Sequence, residues 1–475
     1  MNRLPVLSPA TAVSRRRFLA GCAGCAAHAF CPRSVSAQET APSAWPKDRA
    51  KVRLVFSHAM PDREGWPYVN YDYEARKKAI LSKLQKALPG MEFIPSTVRN
   101  PNEGADLLEA TDVDGYVVYL MGIPSGRIAQ RLIDANKRVL LVDDLYGGTG
   151  EFLGVYARAR AEKKTVAGVA SSRFEDVIAA VRSFEALRKL RSSVIVDICE
   201  RPGRPEAKAI QEAFGTKVQT VGAKEINEAY RAANATEAQQ FAATWIKNAK
   251  KIVEPSREEI GRSGRMWVAM RDLMRASGAQ AIDIDCLQLF YAHKLPAYPC
   301  LGLCQFNDEG LVGACEADLQ STITMLAMTY LIGRPGFISD PVIDTAKNQI
   351  IYAHCVAPTK PYGPSGKSIP YFLRNHAEDR KGAVVQSFFD LGGMTTTLKF
   401  HPVRKEVIFH QAKAVANVEE DRACRTKLAA EVKDPFKLLS EWHLWGWHRV
   451  TYVGDFRAPV EVFTSLAGFR LVTEG

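Results

Sequence analysis

No stretch of the 475 residues approaches the roughly 18 consecutive apolar positions of a membrane-spanning helix, which excludes an integral membrane protein built on helices. Internal repeats and low-complexity tethers are also missing, so solenoids and strings of separate modules are excluded. Neither a dinucleotide fingerprint nor a P-loop with its lysine occurs. Gly147-Gly148-Thr149-Gly150 is glycine-rich but fits neither pattern, and it reads as a flexible loop. Acidic residues are absent from positions 1 to 37, which hold Arg3, Arg15, Arg16, Arg17 and Arg33 of a chain whose net charge is +11. Beyond that segment the excess is a mild +6 with no arginine-rich patch, which argues against nucleic acid as a partner. What is present is an ordinary globular composition, 47% hydrophobic and 24% charged, in a length that suits two or three domains of roughly 150 residues.

The N-terminus is organised as an address. Ser14-Arg15-Arg16-Arg17-Phe18-Leu19 precedes a weakly apolar stretch, Ala20 to Phe30, and a small-residue cleavage site, Val35-Ser36-Ala37. That order resembles a twin-arginine export signal over residues 1–37, with the twin-arginine translocase as a transient partner and the periplasm as destination. Leu19-Ala20-Gly21-Cys22 stands only one residue from the arginines, leaving no room for a lipoprotein signal, so no stable membrane anchor is expected. Export would leave seven of the ten cysteines, an odd number that argues against a complete disulfide framework. Cys300 and Cys304 have no second cysteine pair nearby, and core packing suits them better than zinc.

From Val52 the chain alternates short apolar runs with amphipathic stretches. Val52 to Ser57, Tyr116 to Met121 and Val139 to Val142 read as strands, and Ile128 to Ala135 reads as helix. This is the grammar of a doubly wound α/β domain, placed at residues 50–192. A second α/β domain, residues 193–290, is read from strands Ser193 to Ile198, Val218 to Val221 and Ala281 to Cys286, with helices Ala235 to Val253 and Arg257 to Ala276. Asp285 at the end of the last strand reads as a buried structural aspartate. Residues 291–475 differ: one strong helix, Asp318 to Leu331, is followed by β-type runs at Gln349 to Cys355, Thr395 to Phe400 and Glu406 to His410. The expected fold is therefore two doubly wound α/β domains and an α+β, barrel-like C-terminal domain that carries the metal and substrate.

Polar chemistry concentrates in that last region. Cys315-Glu316-Ala317-Asp318 opens the strong helix, where acidic residues would ordinarily complement the helix dipole. Gly333-Arg334-Pro335 then leads to Asp340, 24 residues after Glu316, and Ala353-His354-Cys355 and Arg374-Asn375-His376-Ala377-Glu378 follow. Carboxylates and histidines recur at the ends of expected elements. On these motifs, together with His448-Arg449-Val450 and Gly454-Asp455-Phe456, the chain resembles the L-fucose and L-arabinose isomerase superfamily over most of residues 50 to 475.

The resemblance implies a divalent metal, usually manganese, held by Glu316, Asp340 and His448, with the two carboxylates also serving as catalytic acid and base. It implies an aldose–ketose isomerase working through an enediol, and a homo-oligomer in which neighbouring subunits complete each site. A hard cation can chelate the carbonyl and adjacent hydroxyl of an open-chain sugar, which acidifies the carbon-bound proton between them. His354, 14 residues after Asp340, is the rival for the histidine ligand. His376 is a candidate for a supporting substrate contact. The aromatic cluster Trp442-His443-Leu444-Trp445-Gly446-Trp447-His448 offers Trp447 as a pocket wall for a sugar's C–H face, or as core packing. Two other readings fit the same residues: a periplasmic sugar-binding protein without catalysis, and a metal-dependent epimerase or lyase acting on an oxidised sugar.

Overall fold

The computed structural model describes residues 48–475, Pro101 and Pro124 excepted; the export segment at 1–37 lies outside the described residues. The first sheet is built from β1 (Ala50–Ser57), β2 (Met91–Val98), β3 (Gly115–Leu120), β4 (Val139–Asp143) and β5 (Val166–Val169), all parallel in the order β2-β1-β3-β4-β5. Helices cover both faces, which is why these strands read as nearly unbroken apolar runs. Val117 and Tyr119 face one buried cluster while Tyr116, Val118 and Leu120 face another. Gly147 and Gly148 do turn the chain after β4, but Thr149 and Gly150 already belong to the helix Thr149–Ala161, so the expected loop is shorter than its glycines suggested. Thr149 donates its hydroxyl to Asp143 at 3.1 Å and fixes that helix start.

A second parallel sheet follows, formed by β6 (Val194–Ile198) and β7 (Lys217–Val221). The helix Ala235–Asn248 stops short of the expected Val253, because β8 (Lys251–Ile252) is drawn into a separate three-stranded sheet. The helix Arg257–Ser277 matches its expected span, with Ser256 and Glu259 forming a reciprocal capping box and Gly278 ending it in a left-handed conformation. The parallel sheet resumes with β9 (Ala281–Ile284) and β10 (Val312–Cys315), in the order β10-β9-β6-β7. It thus takes strands from both sides of residue 290. Cys300 and Cys304 lie buried on the intervening helix Cys300–Asp308, and Asp285 is buried against Arg201 at 3.0 Å.

The C-terminal region is a mixed sheet of β11 (Phe337–Asp344), β12 (Gln349–His354), β15 (Met394–His401), β16 (Glu406–Asn417), β17 (Thr426–Glu431), β18 (Arg449–Val453) and β19 (Arg470–Thr473). β13 (Tyr371–Arg374) and β14 (Val384–Ser387) pair with β8 instead. Antiparallel pairings run β15-β18-β11-β12-β17-β16, and β15 also pairs with β16, so the ladder returns on itself. β16 manages three partners because it is 12 residues long and bulged between Ala414 and Ala416: its first half meets β19 and its second half β17.

One buried ion pair secures this region. Arg449 and Glu474 are 0% and 1% exposed and meet at 3.0 Å, and His410 donates to the same carboxylate at 3.0 Å. Arg449 also donates to the carbonyls of Trp442, Gly446 and His448 and lies 4.2 Å over the Trp442 ring. Burial alone would raise the Glu474 carboxyl, but His410 and Arg449 outweigh it and hold it at about 2. A depressed carboxyl contributes stability in full above its unfolded value near 4.5, and the contribution fades as pH falls toward 2. Glu474→Gln should therefore cost about 3–5 kcal/mol in denaturant unfolding at pH 7, because it leaves a guanidinium buried without its counter-charge. The gap from wild type should narrow as pH is lowered from 5; equal stabilities at pH 7 would refute this account.

Candidate active site

Glu316 stands at the carboxyl end of the second parallel sheet, the edge where such sheets bind ligands. The sequence put it at the start of the helix, and the structure sets it in the turn just ahead. The helix is Leu319–Ile332, Asp318 is its cap, and Glu316 and Ala317 form a connecting turn with φ of +66° and +53°. Side chains tolerate that left-handed region at a cost of about 1–3 kcal/mol each, so something must hold the turn. Arg204 donates to the Ala317 carbonyl and pairs with Asp197 at 2.8 Å, while the Ala317 amide donates to Ile284 at 3.3 Å. The turn aims Glu316 at residues of the mixed sheet.

Those residues arrive from three strands. Asp340 lies within β11, made extended by the proline that follows it, and is opposite Ala353 of β12. His354 is the last residue of β12, and His448 immediately precedes β18. His448 Nε2 lies 3.3 Å from Glu316 Oε2 and 3.2 Å from Asp340 Oδ1, and His354 Nε2 lies 3.5 Å from Glu316 Oε1. Trp447 is half exposed and donates its indole N–H to Asp340 Oδ1 at 2.6 Å, and the Cys424 thiol donates to Asp340 Oδ2 at 3.4 Å. Two groups bring ligand-type atoms within 4.8 Å of one another: Cys315, Glu316 and His354, and Asp340, His354 and His448.

The two imidazoles are fixed by different partners. His448 Nδ1 donates to Asp318 Oδ2 at 3.0 Å, which turns Nε2 toward Glu316 and Asp340, the position where a proton and a cation compete. That Nε2 is buried and makes no hydrogen bond of proper geometry. By contrast, His354 Nδ1 accepts from the Val356 amide at 3.2 Å, so its proton sits on Nε2, facing Glu316. His448 therefore offers Nε2 to a proton or a cation, while His354 donates to Glu316. His448 Nε2 stands within 3.2–3.3 Å of one oxygen of each carboxylate, a donor set of the kind a hard divalent ion takes, while the groups whose ligand atoms all lie within 4.8 Å place Glu316 with His354 and Asp340 with His354 and His448.

Electrostatics agree with that fit. Burial alone would raise Glu316, but His354 and His448 hold it well below the usual carboxylate range. For Asp318, burial is outweighed by Lys399, which pairs with it at 2.8 Å, and by His448. Burial alone would lower His448, but Asp318, Asp340 and Glu316 push it well above an ordinary imidazole. The carboxylates that stabilise a proton on His448 would stabilise a cation in its place by the same attraction.

Of the residues singled out in the sequence, Glu316, Asp340, His354, His448 and Trp447 come together. His376 does not join them; its ring packs beside Tyr298 and faces Asp379 at 3.7 Å. Asp318, Lys399, Cys424 and Arg204 were missed as parts of the site. Asp318 is more than a dipole partner, since it caps the helix, binds Lys399 and orients His448. The one local hint was a lysine inside the apolar run of β15.

No family model matches the chain. Among curated proteins it is similar to sulfoquinovose isomerase from Clostridium sp. (strain MSTE9), 27% identical over 185 residues, or 37% of this chain and 40% of that protein. Sulfoquinovose isomerases from Alkalicoccus urumqiensis and Priestia megaterium are 24% and 25% identical over the same 37% of the chain. The matched span is thus about two fifths of each relative's length. Among solved structures, an ABC transporter solute-binding protein from Burkholderia multivorans is 13% identical over 59% of this chain and 93% of its own, with a TM-score of 0.17, too low to bear on the fold.

Asp318→Asn removes the charge that orients His448 and should weaken divalent-cation affinity by about 10–100-fold, measured by calorimetry with manganese. Affinity in the unaltered protein should fall as pH is lowered, because a proton on His448 competes with the cation. Unchanged affinity in the variant would show that Asp318 does not orient a ligand.

Proposed function

We propose that this chain is an exported, manganese-dependent isomerase that interconverts an aldose and a ketose through an enediol. The observation that carries the reading is the buried His448 Nε2, which stands 3.3 Å from Glu316 and 3.2 Å from Asp340 without a hydrogen bond of proper geometry. Partial similarity to sugar isomerases supports it. Glu316, Asp340 and His448 would hold the ion, with His354 donating to Glu316. When bound, a divalent ion polarises a sugar carbonyl and its neighbouring hydroxyl and acidifies the hydrogen on the carbon between them.

The two carboxylates divide the proton transfers. Both Asp340 oxygens accept hydrogen bonds, from Trp447 and Cys424, which lowers their basicity. Glu316 is held low as well, by the two imidazoles, and is assigned the carbon-bound proton because it stands at the sheet edge where such sheets bind ligands rather than by its basicity. It takes that proton from C2 of the open-chain aldose and returns it to C1, while Asp340 moves the hydroxyl proton from O2 to O1. Trp447, half exposed beside Asp340, supplies a flat apolar face for the sugar's C–H groups. The same proposal includes passage through the twin-arginine translocase to the periplasm and assembly into a homo-oligomer.

Glu316→Gln and Asp340→Asn should each lower turnover by about 10²–10⁴-fold with circular dichroism unchanged. Aldoses and ketoses, including sulfonated ones, are to be screened with added manganese in deuterated water, where one carbon-bound deuterium per isomerised product marks proton transfer through solvent-exchangeable Glu316. Tight sugar binding without any isomer formed, or turnover untouched by both substitutions, would overturn the proposal.

A further inference from the structure

β5 at the edge of the first sheet, β19 at the edge of the mixed sheet and the helix Arg457–Leu466 together line a cleft of about 870 Å³. None of Glu316, Asp340, His354, His448 or Trp447 reaches it. Seven cationic side chains line the cleft against two acidic ones, and both acids are already taken. Arg173 pairs with Asp176 at 3.0 Å and Arg457 with Glu461 at 2.9 Å, while Arg470 turns to Glu406. Among the described residues, Arg160, Lys163, Lys164 and Lys405 have no acid within ion-pair distance. Arg160 belongs to the last turn of the helix Thr149–Ala161, where a cation suits the helix dipole. That account does not extend to Lys405, which comes from the turn between β15 and β16. Lys163 and Lys405 also sit at left-handed φ, +55° and +52°, where glycine would cost less, so the backbone is not what calls for lysine there. Nor does the helix Arg457–Leu466 carry an acid in its first turn, which leaves its positive end uncompensated beside the cleft.

We propose that this cleft binds a small organic molecule carrying two or more phosphate or sulfate groups. Four unneutralised cations gathered from separate turns repel one another, and an anion set among them is attracted by all four at once. The helix N-terminus adds its partial positive charge on the same side. The volume lies within the roughly 300–1,000 Å³ of small-molecule sites, well beyond what a single inorganic ion fills. Between the cations, Ala167, Val462 and Leu471 offer apolar surface, which suits a carbon skeleton bearing the charged groups. The cations surround a concave cleft and do not form the stripe that tracks a nucleic-acid backbone. The cleft shares no residue with the chemistry proposed around Glu316, so either stands without the other.

The test is titration calorimetry on the whole protein with inositol hexakisphosphate and, separately, with sucrose octasulfate. EDTA is present throughout, so that no cation held near Glu316 can recruit the anion. At least one probe should bind once per chain, and more weakly as salt is raised. The tighter of the two identifies the ligand's charged groups as phosphate or sulfate. Lys164→Glu combined with Lys405→Glu reverses two charges from separate elements and should lower the affinity by about tenfold or more, with circular dichroism unchanged. Lys224→Glu, which alters an exposed lysine outside the cleft, should leave the affinity as it was. Failure of both probes to bind would overturn the proposal. Undiminished binding by the double variant, or an equal loss from Lys224→Glu, would overturn it too, since the attraction would then belong to the whole surface and not to this cleft.

Discussion

The site depends on one carboxylate, Asp318. Its Oδ1 accepts from the Ser321 amide at 3.0 Å and starts the helix Leu319–Ile332, and its Oδ2 takes both Lys399 at 2.8 Å and His448 at 3.0 Å. These contacts join the turn after the second parallel sheet to β15 and to the approach to β18. A buried carboxylate is costly unless paired and hydrogen-bonded, and the cost falls on any arrangement in which the three segments separate. The group that makes the fold's junction electrically acceptable also orients the histidine beside it.

Rigidity on either side of that junction has identifiable sources. The left-handed pair Glu316 and Ala317 is strained, and its carbonyl and amide are pinned by Arg204 and Ile284. On the opposite side, Arg449 binds four carbonyls of the segment leading into β18 and closes on Glu474 near the end of the chain. The two carboxylates and His448 are thus set by backbone held on both flanks, as preorganised chemistry requires. Asp340 is held instead by side chains, its oxygens accepting from Trp447 and Cys424.

The strands around Val52 to Ser57 and Tyr116 to Met121 were legible because a doubly covered parallel sheet demands unbroken apolar residues. The helix at Arg257 was legible because Ser256, Glu259 and Gly278 mark its ends. β8 was not. Two residues pairing with Phe372 and Leu373 have no period of their own, and a helical pattern ran straight through them. Glu316 was read as the opening of the helix and not as part of a left-handed turn before it, since no local pattern announces two consecutive left-handed residues without glycine.

By itself the sequence determined the alternation of strands and helices, the change to β-structure after the helix read over Asp318 to Leu331, and, through its resemblance, which carboxylates and histidines to consider. Only tertiary structure decided that His448 would turn Nε2 between Glu316 and Asp340, that His354 would donate to Glu316, and that Asp318, Lys399 and Cys424 would surround them. The physical reason is distance along the chain. Asp318 and His448 are 130 residues apart and Asp340 and Cys424 are 84 apart, so each partner is selected by strand pairing and charge burial rather than by any neighbouring residue.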